Sequence, residues 1–246
     1  MKERIDKLLL DRGLAKSRHQ AQALVLQGTV LADDQRIDKP GIKVDLKSTL
    51  RLKSVSKIYV SRGGQKLEHA LKHFSLNILG WVCLDIGAST GGFTDCLLQH
   101  GASSVYALDV GHNQLDWKLR RDSRVTPLEK LNARYLEFEV IGEQVNLITL
   151  DLAFISLSLI LPRLHPFERA NCQILCLVKP QFELGRGQVE KGGIVKDPIK
   201  HQRAIDKVSA CALELGYRLQ GVVPSPILGA EGNREFFLGL DRAAKS

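Results

Sequence analysis

The chain has 246 residues, enough for one large domain or two, and a globular composition with 44% hydrophobic, 25% charged and only 6% aromatic residues. Its 35 Lys and Arg outnumber 27 Asp and Glu, a net charge of +8, and the excess is uneven: residues 1–60 hold 13 basic and 7 acidic residues, residues 61–246 hold 22 and 20. Even with glycine counted as apolar, the longest apolar run covers only 78–84, against the roughly 20 residues that span a bilayer, and MKERIDKLLL has neither the apolar core nor the cleavage site of a secretory signal. Membrane-spanning and secreted classes are excluded, and a cytoplasmic protein with no membrane partner is expected.

The charge asymmetry predicts a small basic module joined to a nearly neutral larger domain, the arrangement in which one part holds a polyanion and the other does chemistry. Residues 4–12, RIDKLLLDR, place Ile5, Leu8, Leu9 and Arg12 at helical spacing, and Gly13 stops the helix. Ser17 is a good N-cap for a second helix through Ala21, Leu24 and Val25, with a C-cap at Gly28. Short β-like pieces follow at 29–32 and 42–52. Arg4, Arg12, Lys16 and Arg18 lie near the helix ends and form one positive face if the helices pack on their apolar sides. RIDKLL, SR followed by QA, and QGTV resemble the S4 RNA-binding fold, with LADDQ where that family usually has a Val-Asn-Gly turn. The resemblance, with the local charge, implies a small α+β domain that contacts an RNA backbone through Arg4, Lys16 and Arg18, because clustered Lys and Arg neutralise phosphates. The polar stretch 53–59, KSVSKIY, reads as a linker. The expected domains are 1–60, S4-like with its linker, and 61–246.

Beyond residue 81, β-like runs at 82–87, 104–110, 146–154, 173–178, 218–223 and 235–240 alternate with helical ones at 92–99, 157–164 and 203–215. This interleaving predicts an α/β fold, a mostly parallel sheet covered on both faces, with the last two strands as an antiparallel hairpin at one edge. In such sheets ligands sit beyond the carboxyl ends of the strands. The first of those loops is DIGASTGGF. A dinucleotide fingerprint would need glycines at 87, 89 and 92, but position 89 is serine and the glycines are Gly87, Gly91 and Gly92. Asp85 in the turn would repel a diphosphate. S-adenosylmethionine, a cationic nucleoside without phosphates, fits better, with Asp85, Gly87, Ser89, Gly91, Gly92 and Phe93 around it and Asp109, at the end of the next strand, accepting both ribose hydroxyls.

Four further residues fall at sheet ends on the same side. Lys66, in SRGGQKLEHAL, starts a helix with an apolar stripe at Leu67, Ala70, Leu71 and Phe74. Asp151 lies in LITLDLAF, too apolar to shelter a carboxylate without a partner. Lys179 ends QILCLVKP, where Pro180 turns the backbone out of the strand, and Glu235 opens REFFLGL. Singly, these residues could be a solvated lysine, an N-cap, a surface ion pair and an edge-strand charge. The five cysteines, Cys83, Cys96, Cys172, Cys176 and Cys211, show no metal spacing and read as reduced core residues, so no metal site is expected.

The S4-like head, SRGGQKL, DIGASTGGF, LDLAFIS, LVKPQFELGRGQVEKGGIVKDP and EGNREFFLGL together resemble the TlyA family of ribosomal RNA 2'-O-methyltransferases, across nearly the whole chain. The resemblance implies a Rossmann-like class I methyltransferase domain of the FtsJ type with a seven-stranded sheet. It further implies S-adenosylmethionine as cofactor, ribosomal RNA or ribosomal subunits as partner with no obligate protein partner, and a cytidine in large-subunit RNA as target. That family's Lys-Asp-Lys-Glu tetrad falls on Lys66, Asp151, Lys179 and Glu235. A ribose hydroxyl is a very weak acid whose oxygen must attack the sulfonium methyl in line, so the site needs a base and fixed geometry. Lys179 is the expected base, Lys66 the group that orients the hydroxyl and supplies a neighbouring cation, and the acids hold the lysines; the lysine roles could be exchanged. Arg62, and Arg186 and Lys191 in the glycine-rich stretch 183–198, are further expected RNA contacts. A non-catalytic RNA-binding assembly factor and a membrane-active haemolysin are the alternatives.

Overall fold

A computed structural model describes residues 2–15, 17–26, 28–52, 59–185, 187–190, 192–229 and 232–242. The chain divides into two compact units, Met1–Ile58 and Tyr59–Ser246. The second begins two residues before the expected boundary because Tyr59 is buried against Gly64 and the Val60 N–H donates to Asp95. Lys16, Arg186, Lys191 and the stretch 53–58 of the expected linker lie outside the described residues.

In the first unit, β1 (Lys2–Arg4) leads into α1 (Ile5–Asp11) and α2 (Arg18–Leu26), followed by β2 (Val30–Ala32), β3 (Gln35–Arg36), β4 (Lys43–Asp45) and β5 (Leu50–Leu52). Ser17 Oγ accepts the Gln20 N–H, as an N-cap should. Ile5, Leu8 and Leu9 of α1 meet Ala21 and Val25 of α2 and Val30 of β2 in one apolar core. β2 pairs antiparallel with β3 and with β5, and β1 pairs with β4. Asp33 and Asp34 both take positive φ, 49° and 65°, so the aspartates supply the left-handed turn that Asn-Gly would supply elsewhere. The single β piece expected over 42–52 is two strands, because Asp45 accepts the Lys47 N–H in a turn between them. Arg12 donates to the Ser48 and Leu46 carbonyls and so braces this turn.

The second unit contains α3 (Gly63–His73), β6 (Val82–Ile86), α4 (Gly92–Gln99), β7 (Ser104–Asp109), α5 (Trp117–Arg120), β8 (Val125–Glu129), α6 (Phe138–Ile141), β9 (Val145–Leu150), β10 (Glu168–Val178), α7 (Pro180–Glu183), α8 (Pro198–Glu214), β11 (Tyr217–Pro224) and β12 (Phe236–Arg242). They build a seven-stranded sheet in the order β11-β12-β10-β9-β6-β7-β8. The pairs from β10 through β9, β6 and β7 to β8 are parallel, while β12 runs antiparallel to β10 and β11. The expected edge hairpin is therefore present. Alternating side chains feed two cores: Cys83, Leu147, Leu175 and Leu177 pack under α3 and α4, while Leu84, Ile148, Ile174 and Cys176 pack under α8.

Three expectations need correction. β8 was not foreseen, since Pro127 breaks a strand signal; its edge position tolerates a residue without an N–H. The expected helix over 157–164 is instead a series of 3-10 turns, Leu157–Leu159, Leu161–Arg163 and His165–Phe167, because Pro162 and Pro166 withhold the donors a continuous helix requires. The strand expected over 146–154 ends at Leu150. There the Asp151 N–H donates to the Ile86 carbonyl, and by Phe154 the φ is +64°.

Candidate active site

The chain enters the sheet at the centre with β6, runs outward to β8, then returns to the other side of β6 with β9. The loops after β6 and β9 thus diverge at a topological switch point, where open parallel sheets form a crevice. Gly87 and Asp151 meet there: a Cβ on Gly87 would lie 2.4 Å from the Asp151 carbonyl oxygen, and the Gly87 φ of +88° also favours glycine. Beyond, Gly92 opens α4 so close to α3 that a Cβ would sit 2.1 Å from Ser61 Oγ and 3.1 Å from the Gly64 nitrogen. Small residues at both helix starts let the SRGGQK turn come down beside the glycine-rich loop.

Two cavities open at this place and share Gly87, Ser89 and Asp151 on their walls. The smaller, about 220 Å³, is lined by Arg62, Lys66, Gly92, Phe93 and Asp151 among others. The larger, about 960 Å³, lies over the ends of β7 and β9, with Asp109, Gln114 and Asn132 as polar groups and Leu108, Ala133, Leu159 and Ile160 as apolar wall.

Lys66, Asp151, Lys179 and Glu235 converge here as two ion pairs. Lys66 Nζ donates to Glu235 Oε2 at 2.6 Å, with both side chains almost inaccessible. Lys179 Nζ lies 2.6 Å from Asp151 Oδ1, at angles outside hydrogen-bond geometry, so this contact is an ion pair by charge and distance. Each lysine thus has its own carboxylate at closest range. Glu235 sits just before β12 and fits only because residue 229 is glycine: a Cβ there would be 2.0 Å from Glu235 Oε1.

Around the expected nucleoside site the outcome is mixed. Gly87, Ser89, Gly92, Phe93 and Asp109 line the cavities. Asp109 also ties its own loop to the one after β6, accepting the Gly111 N–H at Oδ1 (2.7 Å) and the Ser89 N–H at Oδ2 (2.8 Å). Asp85 and Gly91 do not face the cavities. Asp85 is fully buried and accepts hydroxyl hydrogens from Thr94 (2.7 Å) and Thr149 (2.9 Å), so it ties α4 to β9 beneath the loop; burial pushes its carboxyl up to about 7. Gly91 turns toward Leu115 and Leu119, where a Cβ would come within 2.3 Å of Leu119 Cδ1.

The S4 domain matches residues 3–50 and the FtsJ-like methyltransferase family matches residues 59–242. Over 238 residues the chain is 47% identical to the 16S/23S rRNA (cytidine-2'-O)-methyltransferase TlyA of Mycobacterium tuberculosis, covering 96% of this chain and 89% of that one. The chain belongs to the TlyA family. A second TlyA relative, the 23S rRNA (cytidine-2'-O)-methyltransferase of Campylobacter jejuni, is 40% identical over 76% of this chain and 73% of its own. A solved structure of a hemolysin-type protein from Streptococcus thermophilus superposes with a TM-score of 0.77 at 45% identity, covering 98% of this chain and 88% of that one.

Within this TlyA-type frame, several residues of the site escaped sequence reasoning. Thr94 and Thr149, which hold Asp85, Gly229, which makes room for Glu235, and Asn132 and Phe154 on the larger cavity are examples. Phe154 is 91% exposed beside the Phe182 ring. An apolar side chain just past a strand-end acid gave a signal for it; Gly229 gave none before Glu235 was located. Among the described residues no helix is long and apolar enough to cross a membrane, and no cluster of three or more His, Cys, Asp or Glu side chains could hold a metal.

Proposed function

We propose that this protein transfers a methyl group from S-adenosylmethionine to the ribose 2'-oxygen of a cytidine in 23S ribosomal RNA, working in the cytoplasm. The observation that carries this reading is the pair of lysine–carboxylate contacts on a small cavity that joins a nucleoside-sized one at Asp151. The larger cavity fits the cofactor. Asp109 offers a carboxylate to ribose hydroxyls, Leu108 and Ile160 give a base an apolar wall, and Gly87 and Ser89 let the backbone come close. When bound, S-adenosylmethionine supplies an electrophilic sulfonium methyl whose leaving group is a neutral thioether.

The protein's own groups then do the rest. Lys66, braced by Glu235, orients the hydroxyl in the smaller cavity. Lys179 as the neutral amine takes the hydroxyl proton while the oxygen–carbon bond forms and the methyl–sulfur bond breaks, and Asp151, 2.6 Å away, stabilises the ammonium this creates. One observation favours the exchanged roles: Lys66 itself lines the smaller cavity, whereas Lys179 reaches it through Asp151. The 23S target is supported by the names of both TlyA relatives, each of which includes 23S RNA. Arg62 lines the smaller cavity at its exposed side and is proposed as an RNA contact, and Arg4 and Arg18 as contacts of the first unit.

Equilibrium titration with S-adenosylmethionine, followed by transfer of its labelled methyl to unmodified ribosomal RNA and nucleoside analysis, tests the reading. Micromolar binding and label in 2'-O-methylcytidine are expected. No binding would instead support an assembly factor that keeps the cavity only as architecture, and binding with no label in ribosomal RNA would overturn the assigned substrate.

A further inference from the structure

Asp6, in the first turn of the first helix of the basic unit, is wholly buried, an unusual place for a carboxylate in a domain rich in cations. Its Oδ1 accepts from Arg4 Nε (3.0 Å), and its Oδ2 from Arg4 Nη2 (2.9 Å), Arg18 Nε (3.2 Å) and Gln22 Nε2 (3.2 Å). The Arg4 guanidinium, with Gln22 and Arg18, holds this carboxyl well below the usual carboxylate range. Two arginines fourteen positions apart are therefore gathered on one buried anion. They are not themselves buried: the Arg4 and Arg18 side chains keep 43% and 59% of their surface.

Joining α1 to α2 does not require this arrangement, because Leu8, Leu9, Ala21 and Val25 already pack between those helices. Burying a carboxylate carries a desolvation cost, and here the hydrogen bonds from Arg4, Gln22 and Arg18 more than offset it, so the anion is the stable form of Asp6. What the arrangement does achieve is geometric. Two guanidiniums that would repel each other share one carboxylate, and their contacts to it use Arg4 Nε and Nη2 and Arg18 Nε, so Arg4 Nη1 and both Arg18 Nη groups are not used in holding Asp6. A guanidinium fork recognises a phosphate by direction as well as charge.

We propose that Asp6 is a positioning residue for RNA binding: it fixes Arg4 and Arg18 as a paired grip on neighbouring phosphates of the RNA backbone. The inference rests on the reading that the first unit binds RNA. It differs from a simple charge effect in sign, because Asp6→Asn adds one unit of positive charge yet removes the anion that aligns the arginines.

The test is binding of the full chain to unmethylated 23S ribosomal RNA as a function of salt, for wild type, Asp6→Asn, and Arg4→Ala combined with Arg18→Ala. Asp6→Asn is expected to weaken binding fivefold or more at 0.15 M salt and to flatten the log K against log salt line toward that of the double arginine variant. Affinity equal to or above wild type, or a steeper salt dependence, overturns the proposal, since that is what added charge alone produces. A double arginine variant that binds like wild type overturns instead the RNA-binding reading of this face. Thermal melting by circular dichroism reports whether Asp6→Asn folds. If it does not, Arg18→Lys decides, since lysine keeps the charge but not the Nε contact: a loss of fivefold or more supports the proposal, and affinity within twofold of wild type overturns it.

Discussion

At Asp6 the acid is buried while its cations reach solvent; at Lys66–Glu235 and Lys179–Asp151 the cations themselves are sheltered, with side-chain exposures of 10% and 13%. The same pairing of opposite charges thus serves two purposes in one chain. Exposed guanidiniums retain donors and charge for a large polyanion and are screened by salt. Sheltered lysines work in a lower dielectric, where a neighbouring carboxylate counts for more and where geometry can be held to the tolerance that methyl transfer demands. The uneven charge along the sequence is the one-dimensional trace of this difference.

Perturbing each unit sharpens the contrast. Lys179→Ala should reduce methyl transfer by about 10³-fold or more, the scale of a lost proton acceptor, while S-adenosylmethionine affinity stays within about threefold; turnover within tenfold of wild type would move the role to Lys66. Gly229→Ala should push the Glu235 carboxylate off Lys66, lower turnover by about 10- to 100-fold and lower the melting temperature as well, because a buried ion pair is broken, read from initial rates and calorimetry. Arg4→Ala with Arg18→Ala should act mainly on the RNA term, raising KM by about tenfold and reducing the salt slope by about two, with a much smaller effect on kcat.

The smallest effect concerns Asp85 and stability. Its folded carboxyl titrates near 7, above the ordinary carboxylate value, so between about pH 4 and 7 the folded protein keeps a proton the unfolded chain has lost. This group's contribution therefore weakens as pH rises through that window. Asp85→Asn, neutral at every pH, should flatten the decline in melting temperature between pH 5 and 8 by about 3 °C or more in calorimetry. An unaltered decline would mean that the carboxyl is ionised in the folded state.

Much of this architecture was legible from periodicity and chain order. Helix α4 opens and closes at the glycine and glutamine its pattern marks, and the four tetrad positions could be picked out because each stands at a strand end or helix start on one side of a parallel sheet. The direction of Asp85 is legible too: two residues after Cys83, it shares that residue's face, which packs under α3 and α4. β8 was hidden by Pro127, whose cost vanishes only at an edge that sequence order does not reveal. The pairing of each lysine with its own acid was beyond sequence reasoning, because Lys66 and Glu235 are 169 residues apart and meet only when β12 inserts beside β10.

A map of 2'-O-methyl groups at nucleotide resolution, made on 16S and 23S ribosomal RNA after incubation with the protein and S-adenosylmethionine, tests the central claim most directly. One new 2'-O-methylcytidine in 23S RNA, absent when Lys179→Ala replaces the wild type, is the predicted result. A methyl group on a base, or no new 2'-O-methylcytidine in 23S RNA, would contradict the account, and an identical map from the Lys179→Ala protein would move the base to Lys66.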